Sequence, residues 1–278
     1  MQMAQRHETG ETMRTVSKAL KILDLFTEET PVLGLVEIAG ITGLDRATCH
    51  RMLKVLEEHG YVARPVASKK YTLGATVLRL ARTREYISPT SATLQAFVDA
   101  LAVRTTETCH ASLIAGQQIA TVAVRDGTRS NRVHVEYGAR MELHATATGL
   151  ACLAFGPSTF AEAGLRAPMT ACTPQTVTSI EALNALLETF RAQGYSIANR
   201  SFDPEVVGIG APIFGPDGFA MGAIAIATPS TRMNDATLAD TAHALIAVAI
   251  EASQALGGRV PADYLRRASH NLASKLSA

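Results

Sequence analysis

Hydrophobic positions along the chain recur first with a helical period and later with a period of two. From Arg14 to Thr27, Val16, Leu20, Leu23 and either Ala19 or Phe26 fall at helical spacing behind Thr and Ser residues suited to a cap, which predicts a first helix. Pro31 breaks the pattern. Leu35-Val36-Glu37-Ile38-Ala39 then predicts a short second helix, stopped by Gly40-Ile41-Thr42-Gly43, where glycine admits a tight turn. A third helix is expected from Asp45 to His59, ended by Gly60. Tyr61-Val62-Ala63-Arg64 and Lys70-Tyr71-Thr72-Leu73 read as two strands of a hairpin. Helical spacing returns in Ala75 to Tyr86 and, after Ser88-Pro89, in Thr90 to Arg104, where Leu94, Phe97, Val98 and Leu101 form a stripe. This stripe suits packing on its own domain or a dimer seam.

Beyond Glu107 the period shortens. Cys109 to Ala115, Gln118 to Val124, Val133-His134-Val135, Tyr195 to Asn199, Val206 to Phe214 and Phe219 to Ala227 predict strands. Gly215-Pro216-Asp217-Gly218 is a turn between the last two. His144 to Phe155, Ile180 to Ala192 and Asn234 to Leu256 predict helices. The second half is therefore an α+β domain with one antiparallel sheet and helices over its faces.

On a wheel of about 100° per residue, the third helix puts Cys49, Met52, Leu53 and Leu56 in one arc and Arg46, Ala47, His50, Arg51 and Lys54 in the opposite one. Two short helices joined by a glycine turn, the second with a basic outer face, make a helix-turn-helix sized for a major groove. Lys69 and Lys70 near the hairpin tip suit phosphate contact, although a charged sheet edge can also serve only to prevent aggregation.

Charge supports the division. The 278 residues carry 26 Lys+Arg against 25 Asp+Glu, yet residues 45–84 alone hold nine basic side chains and three acidic ones. One local basic surface on a nearly neutral protein fits a polyanion contact made by a single module. Apolar side chains make up 47% of the chain, enough for a self-sufficient core. No apolar run reaches the roughly 18 residues of a membrane span and residues 1–14 lack a signal-peptide pattern, so a cytoplasmic protein with no membrane partner is expected. Cys49, Cys109, Cys152 and Cys172 show no metal-binding spacing and are expected to be reduced and mostly buried, with no metal and no cofactor. There is no G-x-S-x-G elbow, phosphate loop or H-E-x-x-H, and Gly208-Ile209-Gly210 lacks the third glycine of a dinucleotide fingerprint. An enzyme is not expected.

The stretches Thr15-Val16-Ser17-Lys18-Ala19-Leu20, Leu35-Val36-Glu37-Ile38-Ala39, Thr48-Cys49-His50-Arg51-Met52-Leu53, Leu56-Glu57-Glu58-His59-Gly60-Tyr61 and Tyr71-Thr72-Leu73-Gly74 resemble the winged helix of IclR-type transcriptional regulators. Gly138-Ala139-Arg140, Leu143-His144-Ala145-Thr146-Ala147, Gly194-Tyr195, Ala211-Pro212-Ile213-Phe214 and Pro229 with Arg232 resemble the effector domain of the same family, whose fold is like that of GAF sensory domains. The resemblance implies a double-stranded DNA operator read by Arg46, Ala47, Thr48, His50, Arg51 and Lys54, with Lys69 and Lys70 of the wing on the backbone. It also implies a small-molecule effector and a homodimer or dimer of dimers on a palindrome. The expected organisation is a flexible N-terminus (1–13), a winged helix-turn-helix (14–74), a linker helix (75–88), a GAF-like effector domain (89–257) and a C-terminal tail (258–278).

For the effector, departures from the family pattern carry the information. Positions that are polar in members binding small oxo-acids become Ala198, Gly208, Ala225 and Ala227, so the pocket is expected to have lost donors and gained room. A short carboxylate out of water needs several polar contacts. A larger aromatic acid or ester, held mainly by apolar burial, needs one or two. Expected walls are Met141, Ala147, Ala198, Gly208, Ile209, Ala225 and Ala227, and expected anchors are His110, Thr148 and Asn199. Thr148 could instead only cap its helix. The alternative is a ligand-independent DNA-binding protein whose second domain serves only oligomerisation.

Overall fold

The computed structural model describes residues 14–27, 29–65, 68–87, 89–137 and 141–273. The expected flexible N-terminus, part of the wing tip (Val66, Ala67) and the Gly138-Ala139-Arg140 motif lie outside the described residues. The chain divides into two compact units, one up to Pro89 and one from Thr90.

The first unit holds α1 (residues 14–23), β1 (Leu33–Gly34), α2 (Leu35–Thr42), α3 (Arg46–Glu58), β2 (Val62–Ala63), β3 (Lys70–Leu73) and α4 (Ala75–Ile87). Helix α1 stops before the expected Thr27, and the Thr30 hydroxyl donates to the Leu25 carbonyl at 2.7 Å in the turn that follows. Helix α2 runs through Gly40 and ends at Gly43, whose φ of 68° is the left-handed conformation that glycine adopts without a Cβ penalty. Asp45 caps α3 by accepting the Thr48 N–H at 2.9 Å. Ile22, Leu33, Ile38, Cys49, Leu53, Val62 and Tyr71 form the core beneath these elements. The hairpin is joined by a third strand: β1 pairs with β3 through Leu33 opposite Tyr71, giving the order β1-β3-β2.

The second unit is built on a five-stranded antiparallel sheet of order β5-β4-β8-β7-β6. Its strands are β4 (Thr108–Ala115), β5 (Gln118–Arg125), β6 (Ser196–Asn199), β7 (Val206–Phe214) and β8 (Ala220–Pro229). Helices α5 (Thr90–Thr105) and α9 (Asp235–Ala255) cover one face, packing Leu94, Val98, Leu101, Leu245 and Ile246 on Ile209, Ile213, Ile224 and Ile226. The stripe on α5 thus packs within its own domain. Helices α6 (Ala147–Phe155), α7 (Ser158–Arg166) and α8 (Ile180–Gln193) contribute Leu150, Leu153, Phe160, Leu183 and Leu187 to the second core, with Ala198, Ala223 and Ala225 of the sheet. This is the α+β arrangement expected.

Several local expectations are corrected. Val133-His134-Val135 is not a strand; the Thr108 hydroxyl donates to the Val133 carbonyl at 2.5 Å and holds the segment as irregular chain. Helix α6 starts at Ala147 rather than His144, because the Thr146 hydroxyl accepts the Gly149 N–H as its cap. Helix α7 was not expected. The stretch set apart as a C-terminal tail contains α10 (Ala262–Ala273), whose Tyr264 is buried edge-to-face against Phe155 and Phe214 and donates to the Gly194 carbonyl at 2.8 Å. Among the described residues no helix is long and apolar enough to cross a membrane.

Candidate nucleic-acid interface and effector face

Helix α3 presents the expected split. Cys49, Met52 and Leu53 are buried, whereas Arg46, Ala47, His50, Arg51 and Lys54 are exposed and Thr48 is half-buried. Among the described residues Arg46 and His50 make no ion pair. Arg51 Nη2 donates to Thr48 Oγ1 at 3.3 Å, and Lys54 Nζ lies 3.9 Å from Glu58 Oε1, an exposed pair one helical turn away. Exposed pairs of this kind contribute at most about 1 kcal/mol, so both cations remain available to a phosphate. The Thr48 contacts that cap the helix hold the Asp45 carboxyl below the usual carboxylate range.

The wing lysines differ. Lys69 is exposed, but Lys70 Nζ sits 3.2 Å from Glu37 Oε1, while Glu37 Oε2 accepts the Gly34 N–H at 2.6 Å. These bonds, the one from Gly34 foremost, hold the Glu37 carboxyl below its ordinary value. Lys70 is therefore a strut between β3 and the start of α2, and a phosphate would have to compete for it. Arg64, which was not among the expected contact residues, is exposed just after β2, with its guanidinium 5.8 Å from the Tyr71 ring centroid.

The register of the sheet decides which effector candidates can meet. On the face covered by α6, one cross-strand row runs Thr108, Ala227, Gly208, Ala198 and the next runs His110, Ala225, Gly210, Ser196. His110, Ala198, Gly208, Ala225 and Ala227 therefore share one face. Ile209 does not: it is fully buried in the core under α5 and α9, because consecutive strand residues point to opposite faces. Asn199 is exposed and alternates away from Ala198 for the same reason.

The start of α6 lies directly on this face. A Cβ on Gly208 would stand 3.0 Å from the Ala147 Cβ, and one on Gly210 would stand 2.5 Å from the Ala147 carbonyl oxygen. Ser196 Oγ donates to that same carbonyl at 2.7 Å. The expected room at Gly208 is thus filled by Ala147, and the two glycines serve close approach of the helix. Met141 is half-buried and packs on the α6-side core.

Among the described residues four buried polar atoms lack a partner, and two of them, on His110 and Thr148, belong to β4 and the start of α6, whereas those on Thr228 and His243 lie elsewhere. His110 Nδ1 and Thr148 Oγ1 are buried without a hydrogen bond, although the two residues are only 5% and 0% exposed. Thr148 does not cap α6, since Thr146 does. Burial alone pushes His110 down to about 4, so at neutral pH its imidazole is uncharged, with one nitrogen to donate and one to accept. A helix N-terminus with its partial positive charge begins on the same face. Such a set can hold a largely apolar molecule through one or two hydrogen bonds. The thiol nearest this set, Cys152 on α6, is pushed up to about 12 by burial and is not an activated nucleophile. Among the described residues no cluster of His, Cys, Asp and Glu could hold a metal ion.

A separate cavity of about 450 Å³ opens at the other end of α6, with Leu153, Phe155, Leu165, Phe219 and Tyr264 among its walls. Its rim cations Arg191 and Arg267 are already paired, with Glu188 and Asp263.

Comparison with known proteins accounts for both regions. The IclR helix-turn-helix domain matches residues 15–65 and the bacterial transcriptional regulator IclR C-terminal domain matches residues 89–254. The HTH-type transcriptional regulator XynR of Escherichia coli K12 is 28% identical over 250 residues, covering 88% of this chain and 98% of its own. An IclR-type regulator of Silicibacter sp. TM1040 superposes with a TM-score of 0.81 at 35% identity over 89% of this chain and 98% of its own. An IclR homologue from Microbacterium hydrocarbonoxydans, solved with 4-hydroxybenzoate, shares the fold with a TM-score of 0.71 at 20% identity, over 87% of this chain and 98% of its own. The relatives are regulators of transcription rather than enzymes, and this chain belongs to the same family, the IclR transcriptional regulators, with a DNA-binding helix-turn-helix domain and a C-terminal effector domain.

Proposed function

We propose that the protein is a ligand-responsive regulator whose winged helix binds a palindromic operator as a homodimer or dimer of dimers. Arg46, Thr48, His50, Arg51 and Lys54 enter the groove, with Ala47 against bases and Lys69 on the backbone. The effector is an aromatic acid or ester held on the α6 face by His110 and Thr148, among Met141, Ala198, Ala225 and Ala227, with Gly208 and Ala147 packed on each other beside it. Its binding biases the arrangement of the DNA-reading heads by its differential affinity for the two states.

The observation that supports a ligand is the pair of buried, unpartnered polar atoms, His110 Nδ1 and Thr148 Oγ1. Such atoms cost about 1–3 kcal/mol each when left unpaired, and a hydroxyl or ester group on a ligand would satisfy them. A thermal-shift panel tests this, beginning with 4-hydroxybenzoate, since the related fold from Microbacterium holds that compound. Benzoate, its ethyl ester, pyruvate and glyoxylate complete the panel. At 100 times its dissociation constant a ligand stabilises the folded state by about 2.7 kcal/mol. The expected result is a rise with an aromatic compound that Thr148→Val diminishes. A rise with the short oxo-acids alone would overturn the aromatic reading, and no rise with any compound would overturn both.

A further inference from the structure

Strand β5 is the outer strand of the sheet, and at Val124 its backbone is closed by side chains in place of another strand. Gln95 Nε2 on α5 donates to the Val124 carbonyl at 2.9 Å and to Asp99 Oδ1 at 3.0 Å. The Val124 N–H donates to Tyr137 Oη at 3.1 Å and leans on Gln95 Oε1 at 3.3 Å. Tyr137 Oη in turn donates to Gln95 Oε1 at 3.2 Å, closing a ring of three residues.

Each member belongs to a different part of the second unit. Tyr137 ends the described part of the connection that leaves β5, and Met141, four residues on, packs on the α6-side core. The same connection is tied back to the beginning of β4, where Thr108 Oγ1 accepts the Gly127 N–H at 2.9 Å and donates to the Val133 carbonyl. Thr108 stands beside Ala227 in the row that ends at Ala198, on the effector face. Gln95 lies in the first half of α5, which begins at Thr90, three residues after α4 of the DNA-binding unit ends at Ile87. A shift of the Val133–Tyr137 segment when the α6 face takes up a ligand would be passed to Gln95 of α5 through the Tyr137–Gln95 bond.

We infer that Tyr137 and Gln95 are positioning residues that join the effector face and α5 into one cooperative element. The inference rests on the effector reading above, but its test needs neither ligand nor operator. Hydrogen exchange is followed by mass spectrometry on the full chain, in the wild type and in Tyr137→Phe and Gln95→Leu. Loss of a net hydrogen bond should speed exchange about 2- to 12-fold. The expected result is that 141–148 and 90–97 accelerate together by a similar factor, while the β7–β8 hairpin does not. Acceleration confined to Val124 and its neighbours would reduce the ring to an edge cap and overturn the inference. Acceleration of the whole unit alike would reduce it to general support of the fold and overturn it too. If the two segments accelerate together but no compound of the panel binds, the effector reading fails and the coupling stands; the converse pattern separates them the other way.

Discussion

Helix α3 and the sheet face under α6 solve opposite electrostatic problems. On α3, Arg46, Arg51 and Lys54 stand in water, and their charge acts at little desolvation cost. On the α6 face, His110 and Thr148 are sealed among alanines and glycines, where a charge would be expensive and the imidazole stays neutral. The first region suits a polyanion whose attraction falls with salt. The second suits a small, mostly apolar molecule whose binding depends on shape and on very few hydrogen bonds. On the proposed function, the two regions would answer to different solution variables, salt for the first and ligand shape for the second.

The largest expected effect breaks the charged side of this comparison. Arg46→Ala and Arg51→Ala should each weaken operator binding by about 1–3 kcal/mol, measured by gel-shift titration, and neither should alter melting in the presence of an effector. Unchanged affinity would remove them from the reading face.

On the neutral side, the window for His110 follows from its depressed value. Its folded pKa, about 4, lies below its unfolded value near 6.5, so the unfolded chain binds the proton first as pH falls. The contribution of neutral His110 is fully present above about 6.5 and is lost as pH falls toward 4, to the order of 3 kcal/mol. His110→Leu should flatten the stability curve between those values in urea titrations. An unchanged slope would show that His110 is solvated in the folded state.

The smallest effect sharpens the difference between the wing lysines. Lys69→Met should lower the slope of log affinity against log salt by about 0.9, whereas Lys70→Met should lower it by less, because Lys70 is already shared with Glu37. Equal slopes would return Lys70 to the phosphate contacts.

The charged region was largely legible in the sequence and the neutral one only in part. Exposure and helical period suffice to place Arg46, His50, Arg51 and Lys54 on one side of α3, since both are local properties. The strut at Lys70 was not legible, because its partner Glu37 lies 33 residues away and only the pairing of β1 with β3 brings them together. Ile209 and Asn199 could have been rejected from the alternation of a strand, as each follows a residue assigned to the same pocket. The space at Gly208 could not have been judged, since whether a glycine marks a void or a close approach depends on where α6 lands. Helix α7 and strand β1 escaped notice as well; a two-residue strand has no period, and it exists only through its neighbour. Tyr264 gave no signal as a core residue because the ring cluster that receives it is assembled from α6 and β7.

The four thiols also differ in a way that is useful at the bench. Cys49, Cys109 and Cys152 are buried and Cys172 alone is exposed, so a maleimide dye would find a single address on the native chain without engineering. Partial burial and the nearby Glu142 raise the Cys172 thiol, which asks for a mildly alkaline labelling buffer. The sequence contains no tryptophan, so one introduced indole would report against a dark background and pair with that dye as an optical ruler.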